Sequence, residues 1–281
     1  MHVTDLGGHS GCRILLCETE DNLVYVRKIS SSLDYNKRLV LQAEKQKTFV
    51  NGTIMVPDVL VSGYTESGLF YFDMEYIQGI TLAEYMKTIE IGKVRGLVET
   101  IVRSIIIPEG KNCSTDETIF INKIELLEEK LIPRRNEIIN HALKILKNHS
   151  WNKFVKTTCH GDLTLENIIV KDNRLYLIDF LDSFYDSWLM DISTLLQDVQ
   201  TLWSYRMEDG ININTLLRLI VFRDILMDEV KTSVGNNIIE IYYALLLKLI
   251  RIYPYTSDQR TYDFLNEKVK SVIRIIEEEN Q

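Results

Sequence analysis

The chain has 281 residues and a formal net charge of −8, with 46% of residues hydrophobic and 26% charged. That is apolar material for a sizeable core in one large domain or two lobes, and the acidic balance excludes a nucleic-acid binder working through a broad basic surface. Cys12, Cys17, Cys113 and Cys159 show no C-x-x-C spacing and no paired histidines, which argues against a zinc site or disulfide framework and for reduced thiols in the cytoplasm; no signal peptide is expected, and no stretch reaches the ~20 consecutive apolar residues of a membrane span.

Residues 1–11 hold Leu6-Gly7-Gly8-His9-Ser10-Gly11. Arg13–Glu18 and Leu23–Ile29 follow as strands around the polar turn Glu20-Asp21-Asn22, a hairpin pattern. Glycines just upstream let a backbone fold closely over phosphates, because no Cβ obstructs it. In the second strand Val24, Val26 and Lys28 share one face and Tyr25 and Arg27 the other, so a one-residue slip would exchange Lys28 for Arg27. Ser32–Val50 reads as a helix with a stripe at Leu39, Gln42-Ala43, Gln46 and Phe49-Val50; Glu44 lies within it. Met55–Val61 and Leu69–Ile77 resume strand character, so a sheet of about five strands with one helix is complete by residue 77. From Thr81 the chain turns helical, opening on the capping-box pattern Thr81-Leu82-Ala83-Glu84. Helices are expected around 92–107, 117–131 and 134–150, with a loop at Pro108–Asn112.

The most informative stretch is next. Cys159-His160-Gly161-Asp162-Leu163-Thr164-Leu165-Glu166-Asn167 leads into the apolar run Ile168-Ile169-Val170, the turn Lys171-Asp172-Asn173-Arg174, and Leu175-Tyr176-Leu177-Ile178-Asp179-Phe180. Two short strands around a polar turn make a hairpin, which brings Asn167 and Asp179 together at its open end, with Asp162 just upstream. Hard oxygen ligands of this kind suit magnesium, which completes its shell with phosphate. Beyond Asp191 the remainder reads as helices at about 191–206, 212–231, 236–252 and 260–279.

The H-x-D-x-x-x-x-N run with Asp179-Phe180 after a hydrophobic strand resembles the catalytic loop and D-F-G of the kinase superfamily. More narrowly, His160-Gly161-Asp162 with Ile178-Asp179-Phe180 is similar to the aminoglycoside phosphotransferase/choline kinase-like small-molecule kinases. The resemblance implies an α+β, two-lobed protein kinase-like fold: a small N-terminal antiparallel-sheet lobe, 1–78, that binds the nucleotide, and a larger mainly helical lobe, 79–281, that carries the catalytic loop and acceptor pocket. It implies an ATP- or GTP-dependent phosphotransferase that uses Mg2+ and a small hydroxylated acceptor. Asp162 would accept a hydrogen bond from the acceptor hydroxyl, and Asn167 and Asp179 would hold magnesium. Lys28 would reach the phosphates, oriented by Glu44, with Val26 covering the base. Gly8, Ser10 and Gly11 would form the phosphate loop, in which Leu6 takes the place of a first glycine. The backbone of Glu75, Tyr76 and Ile77 would meet the adenine edge. His160 would support the loop, and Asp191 would accept hydrogen bonds from its backbone.

Leu181 stands where D-F-G has its glycine, so no hinged flip of that segment is expected. Only about a dozen residues separate Asp179 from Asp191 and no A-P-E follows, which leaves no room for the peptide platform of a protein kinase. The acceptor is therefore expected to be carbohydrate-like or aminoglycoside-like. A choline or amino-alcohol kinase, whose cation would sit in a cage drawn from Trp151, Trp188, Trp203, Tyr185 and Tyr205, is the alternative. A catalytically inactive nucleotide-binding module is a further one.

Overall fold

The computed structural model describes residues 2–7, 11–49, 53–106, 115–234 and 238–280. The chain divides into two compact units: residues 1–82 with 167–182, and residues 83–166 with 183–281. No helix among the described residues is long and apolar enough to cross a membrane.

The first unit holds a five-stranded antiparallel sheet in the order β1-β2-β3-β5-β4, formed by β1 (His2–Asp5), β2 (Arg13–Glu18), β3 (Val24–Ile29), β4 (Val59–Tyr64) and β5 (Phe70–Glu75). Alternation along the strands sorts side chains to two faces. Val26, Phe70, Phe72 and Met74 pack with Leu39 and Ala43 of α1 (Asn36–Thr48). On the opposite face Leu15, Cys17 and Tyr25 form a small cluster. The sequence reading lacked β1, whose four residues are all exposed and show no apolar alternation; backbone pairing with β2, from His2↔Glu18 to Asp5↔Leu15, holds it. The expected strand at Met55–Val61 begins four residues later. Pro57, which has no N–H to give to a ladder, separates Met55 from β4. Met55 instead bridges Tyr176, through Met55 N–H to Leu175 O at 2.8 Å and Leu177 N–H to Met55 O at 2.9 Å.

The same unit contains the hairpin of β7 (Ile168–Lys171) and β8 (Arg174–Leu177), with β6 (Ile80–Thr81) paired to β7. Asp172 and Asn173 have φ of 48° and 59°, the left-handed pair that a two-residue hairpin turn requires and that Asn and Asp tolerate. Gly79 is required by a close approach, since a Cβ there would lie 2.5 Å from the Val170 carbonyl oxygen. These pairings group the hairpin with the sheet, whereas the sequence boundary after residue 78 assigned it to the helical lobe.

The second unit is helical. It comprises α2 (Leu82–Tyr85, with Leu82 at the division), α3 (Val94–Ile105), α4 (Thr118–Leu131), α5 (Glu137–Asn148), α6 (Trp188–Thr201), α7 (Ile213–Val234), α8 (Ile239–Ile252) and α9 (Gln259–Glu279). The expected loop at Pro108–Asn112 lies outside the described residues. Helix α6 is buried on nearly every side, as a central helix must be, and it packs against α7 and α8. Its start is fixed by Ser187, whose Oγ accepts from Leu189 N–H at 3.3 Å. The fold class is therefore α+β, an antiparallel-sheet unit and a larger helical unit.

Candidate active site

Residue register in β3 settles which cation faces the sheet's helix side. Lys28 is 2% exposed. Its Nζ donates to Gln42 Oε1 at 3.2 Å and forms an ion pair with Asp179 Oδ1. Arg27 points the other way, where it makes a bidentate pair with Asp73 at 2.7 and 2.8 Å and lies over the Tyr71 ring. Lysine and aspartate are 151 residues apart in sequence. Asp179 itself has φ of 61°, a conformation that Asp tolerates better than most residues.

The expected Lys28–Glu44 pair is not formed. Glu44 has a 59% exposed side chain and pairs with Lys47 at 3.2 Å. Gln42 is the partner instead, 1% exposed and held in turn by its Nε2 donating to Tyr35 Oη at 3.1 Å. The reason is helical period: two residues on from Gln42 is about 200° around the helix, so α1 cannot face both inward. The stripe Leu39, Gln42-Ala43, Gln46 already indicated which of the two was inside; the kinase pattern overrode it. Two further bonds join α1 to the segment after Asp179, Lys45 Nζ to Leu181 O at 3.0 Å and Arg38 to Asp182 at 3.6 Å. Phe180 is buried against Phe49, ring centroids 5.1 Å apart.

Asn167 ends a 3-10 turn, Leu165–Asn167, immediately before β7. Its carbonyl accepts from Ile178 N–H at 3.0 Å, which fixes it beside the residue preceding Asp179. Among the described residues no three His, Cys, Asp or Glu side chains group into a self-contained metal site. The donor set of one carboxylate and one amide oxygen fits magnesium that takes its other ligands from phosphate and water.

In the helical unit Asp191, 1% exposed, accepts from His160 N–H at 2.6 Å and Gly161 N–H at 2.8 Å. His160 is fully buried, and its Nδ1 accepts from Asp162 N–H at 3.2 Å. Both residues thus act on the loop backbone and leave Asp162 half-buried at the loop's turn. A second clamp was missed in the sequence. Asp198, seven residues and two helical turns beyond Asp191, accepts from Leu165 N–H at 2.6 Å and from Ser204 N–H and Oγ at 2.9 and 2.7 Å. The D-x-x-x-x-x-x-D spacing in α6 was its only signal. Burial pushes its carboxyl up to about 7, against the pull of those three donors.

Of the remaining expected residues, Gly11 has φ of 75°, while Gly8 and Ser10 lie outside the described residues. Val26 is buried on the same sheet face as the lysine. Glu75 ends β5 with its N–H given to Asp58 O at 2.9 Å, and Tyr76 and Ile77 follow it directly. The aromatic residues offered for a choline cage are core: Trp151 stacks on Phe120 at 4.5 Å, Trp188 and Tyr185 are buried, and Tyr205 donates to Ala83 O at 2.8 Å. Trp203 is occupied by Arg206, 4.0 Å from its ring centre.

Residues 121–216 match the model of APH, a phosphotransferase enzyme family. The chain resembles the aminoglycoside phosphotransferase-like kinases. The likeness extends to the fold. The apo form of a thermostable mutant of aminoglycoside phosphotransferase APH(4)-Ia superposes with a TM-score of 0.69 at 13% identity, over 98% of this chain and 94% of that one. A ternary complex of such a mutant with AMP-PNP and hygromycin B gives 0.65 at 14%, over 97% and 93%. The GDP complex of wild-type aminoglycoside 2'-phosphotransferase-IIIa gives 0.60 at 16%, over 100% and 94%. No curated protein sequence matches the chain. Family segment and fold together support a small-molecule phosphotransferase.

Proposed function

We propose that this protein transfers the γ-phosphate of ATP or GTP to a hydroxyl of a small carbohydrate-like or aminoglycoside-like acceptor. The observation that carries this reading is the Lys28–Asp179 ion pair, which joins the phosphate-binding cation of a nucleotide kinase to its metal-binding carboxylate across 151 residues. Nucleotides and aminoglycosides are bound in the similar structures, AMP-PNP with hygromycin B in one and GDP with kanamycin in another.

In this reading the acceptor oxygen attacks the γ-phosphorus, the bond from that phosphorus to the bridging oxygen breaks, and the hydroxyl proton passes to Asp162. Asp162 orients the hydroxyl through a loop held by Asp191 and Asp198. Lys28 moves from Asp179 towards the α- and β-phosphates, steadied by Gln42. Asn167 and Asp179 would hold magnesium, which when bound would neutralise charge on the nucleotide phosphates. Because the transition state is loose, positioning and charge stabilisation account for the catalysis. Gly8, Ser10 and Gly11 cover the phosphates, Val26 the base, and Tyr76 and Ile77 offer backbone to its edge. The described cysteines Cys12, Cys17 and Cys159 are buried free thiols, in keeping with a cytoplasmic enzyme.

The test is magnesium-dependent turnover of ATP and of GTP, measured alone and then with neutral, acidic and amino sugars, aminoglycosides and choline. Acceptor-dependent turnover is expected. Tight nucleotide binding without turnover on any acceptor would favour an inactive nucleotide-binding module.

A further inference from the structure

Arg38, Gln42, Lys45 and the C-cap residue Phe49 follow one another along α1 at spacings of four, three and four residues. That spacing is one stripe of a helix. Gln42 accepts from Lys28 Nζ. The other three all meet the short segment that leads away from Asp179. Phe49 packs on Phe180 with ring centroids 5.1 Å apart, Lys45 Nζ donates to Leu181 O at 3.0 Å, and the Arg38 guanidinium lies 3.6 Å from the Asp182 carboxylate. Of these four, the transfer mechanism draws only on Gln42.

Asp179 has a local need for such support. Its φ of 61° is left-handed, a conformation that a residue with a side chain keeps only where its surroundings fix it. On the preceding side Ile178 N–H donates to Asn167 O at 3.0 Å. On the following side the restraint comes from α1, and its three contacts differ in strength. The Arg38 and Asp182 side chains are 52% and 33% exposed, and an ion pair that open contributes little. The Phe49 contact places a ring and leaves the backbone free to turn. Lys45 gives a charge-assisted bond to a main-chain oxygen two residues from Asp179, at a half-buried position.

We propose that Lys45 is a positioning residue for magnesium binding: through Leu181 O it holds the backbone at Asp179 in the conformation that presents the carboxylate to the metal. This rests on the phosphotransferase reading and adds to it a residue that touches neither metal nor nucleotide. Groups that orient a metal ligand from outside typically change metal affinity ~10–100-fold when they are removed. One stripe of α1 then serves both halves of the nucleotide site, Gln42 steadying Lys28 and Lys45 steadying Asp179.

The experiment is calorimetric titration of the full chain with non-hydrolysable ATP and GTP analogues, each with magnesium and with EDTA. The proteins are the wild type, Lys45→Met, Lys45→Gln, Lys45→Arg and Lys47→Met. The quantity read is the magnesium-linked gain, the affinity with magnesium divided by the affinity without it. Lys45→Met and Lys45→Gln should lower that gain by roughly tenfold or more and leave metal-free affinity close to wild type, while Lys45→Arg recovers part of the loss. Lys47 is on the same helix, 37% exposed and paired with Glu44. Lys47→Met removes the same charge and should leave the gain unchanged, which separates the bond to Leu181 from the general pull of a cation on a nucleotide. Four results would overturn the proposal: both neutral variants keep the wild-type gain, they lose affinity equally with and without magnesium, Lys45→Arg recovers nothing, or Lys47→Met loses as much. A wild type that binds neither analogue with magnesium overturns the phosphotransferase reading and this proposal together, whereas a wild-type gain that survives in Lys45→Met and Lys45→Gln overturns the proposal alone.

Discussion

Asp191→Asn tests how the catalytic loop is held. Aspartate and asparagine have nearly the same shape, so the change acts through hydrogen bonding. The native carboxylate is 1% exposed and accepts two backbone N–H bonds, at 2.6 and 2.8 Å. Asparagine offers one acceptor oxygen to two donors and turns an NH2 against the other. A bond to a charged acceptor is worth ~1.5–3 kcal/mol, and a stranded buried donor costs ~1–3 kcal/mol more. Burying a neutral amide in place of a carboxylate returns part of this, leaving a net loss of roughly 2–4 kcal/mol. For a chain of this size that lowers Tm by roughly 4–12 °C. Asp162 is two residues from His160 in the same loop, so kcat should fall by about 10²-fold, the effect of a misplacement near 1 Å. Thermal melting and steady-state turnover are the assays. A Tm within about 2 °C of wild type with unchanged kcat would refute the clamp.

Gln42→Leu should weaken nucleotide binding and lower stability by about 1.5–3 kcal/mol by removing one of the two oxygen partners of the buried Lys28 ammonium, whereas Glu44→Ala, at an exposed position paired with Lys47, should stay within ~0.5 kcal/mol; nucleotide titrations and denaturant unfolding compare them, and the reverse ranking would restore Glu44 as the lysine's partner. The Asp198 carboxyl, raised by burial to about 7 from an ordinary value of 3.8, is protonated in the folded protein over a range in which the unfolded chain has already lost that proton. Its contribution to stability is therefore full at low pH and is lost as pH rises towards about 7. Melting curves from pH 5 to 8 should show the wild type losing stability relative to Asp198→Asn; a constant difference would contradict the raised value.

Much of the site was legible because it depends on local period. Alternation in β3 selected Lys28 over Arg27, and the Asp172-Asn173 turn fixed the hairpin that presents Asn167 and Asp179. The role of Asp191 followed from the resemblance to the small-molecule kinases, in which an aspartate starts the helix after the catalytic hairpin. Glu44 is not the partner because the helix's own stripe, against the kinase pattern, places Gln42 inside. Strand β1 left no mark because its side chains are all exposed and only backbone pairing defines it. Asp198 was invisible for a different reason. Its importance lies in what tertiary packing puts beside it, Leu165 N–H and Ser204, and a single sequence does not carry those neighbours. The same limit hid the grouping of the hairpin with the sheet, which rests on the long-range bridge of Met55 to Tyr176.

The central claim is that Asp162 serves the acceptor hydroxyl while Asp179 serves the metal-bound nucleotide. Paired measurements of kcat and magnesium-nucleotide affinity for Asp162→Ala and Asp179→Asn test it most directly. The account predicts that Asp162→Ala loses about 10²-fold or more in kcat with nucleotide affinity within a few-fold of wild type, and that Asp179→Asn loses magnesium-dependent nucleotide affinity. Unchanged kcat in the first variant, or unchanged metal-nucleotide affinity in the second, would contradict it.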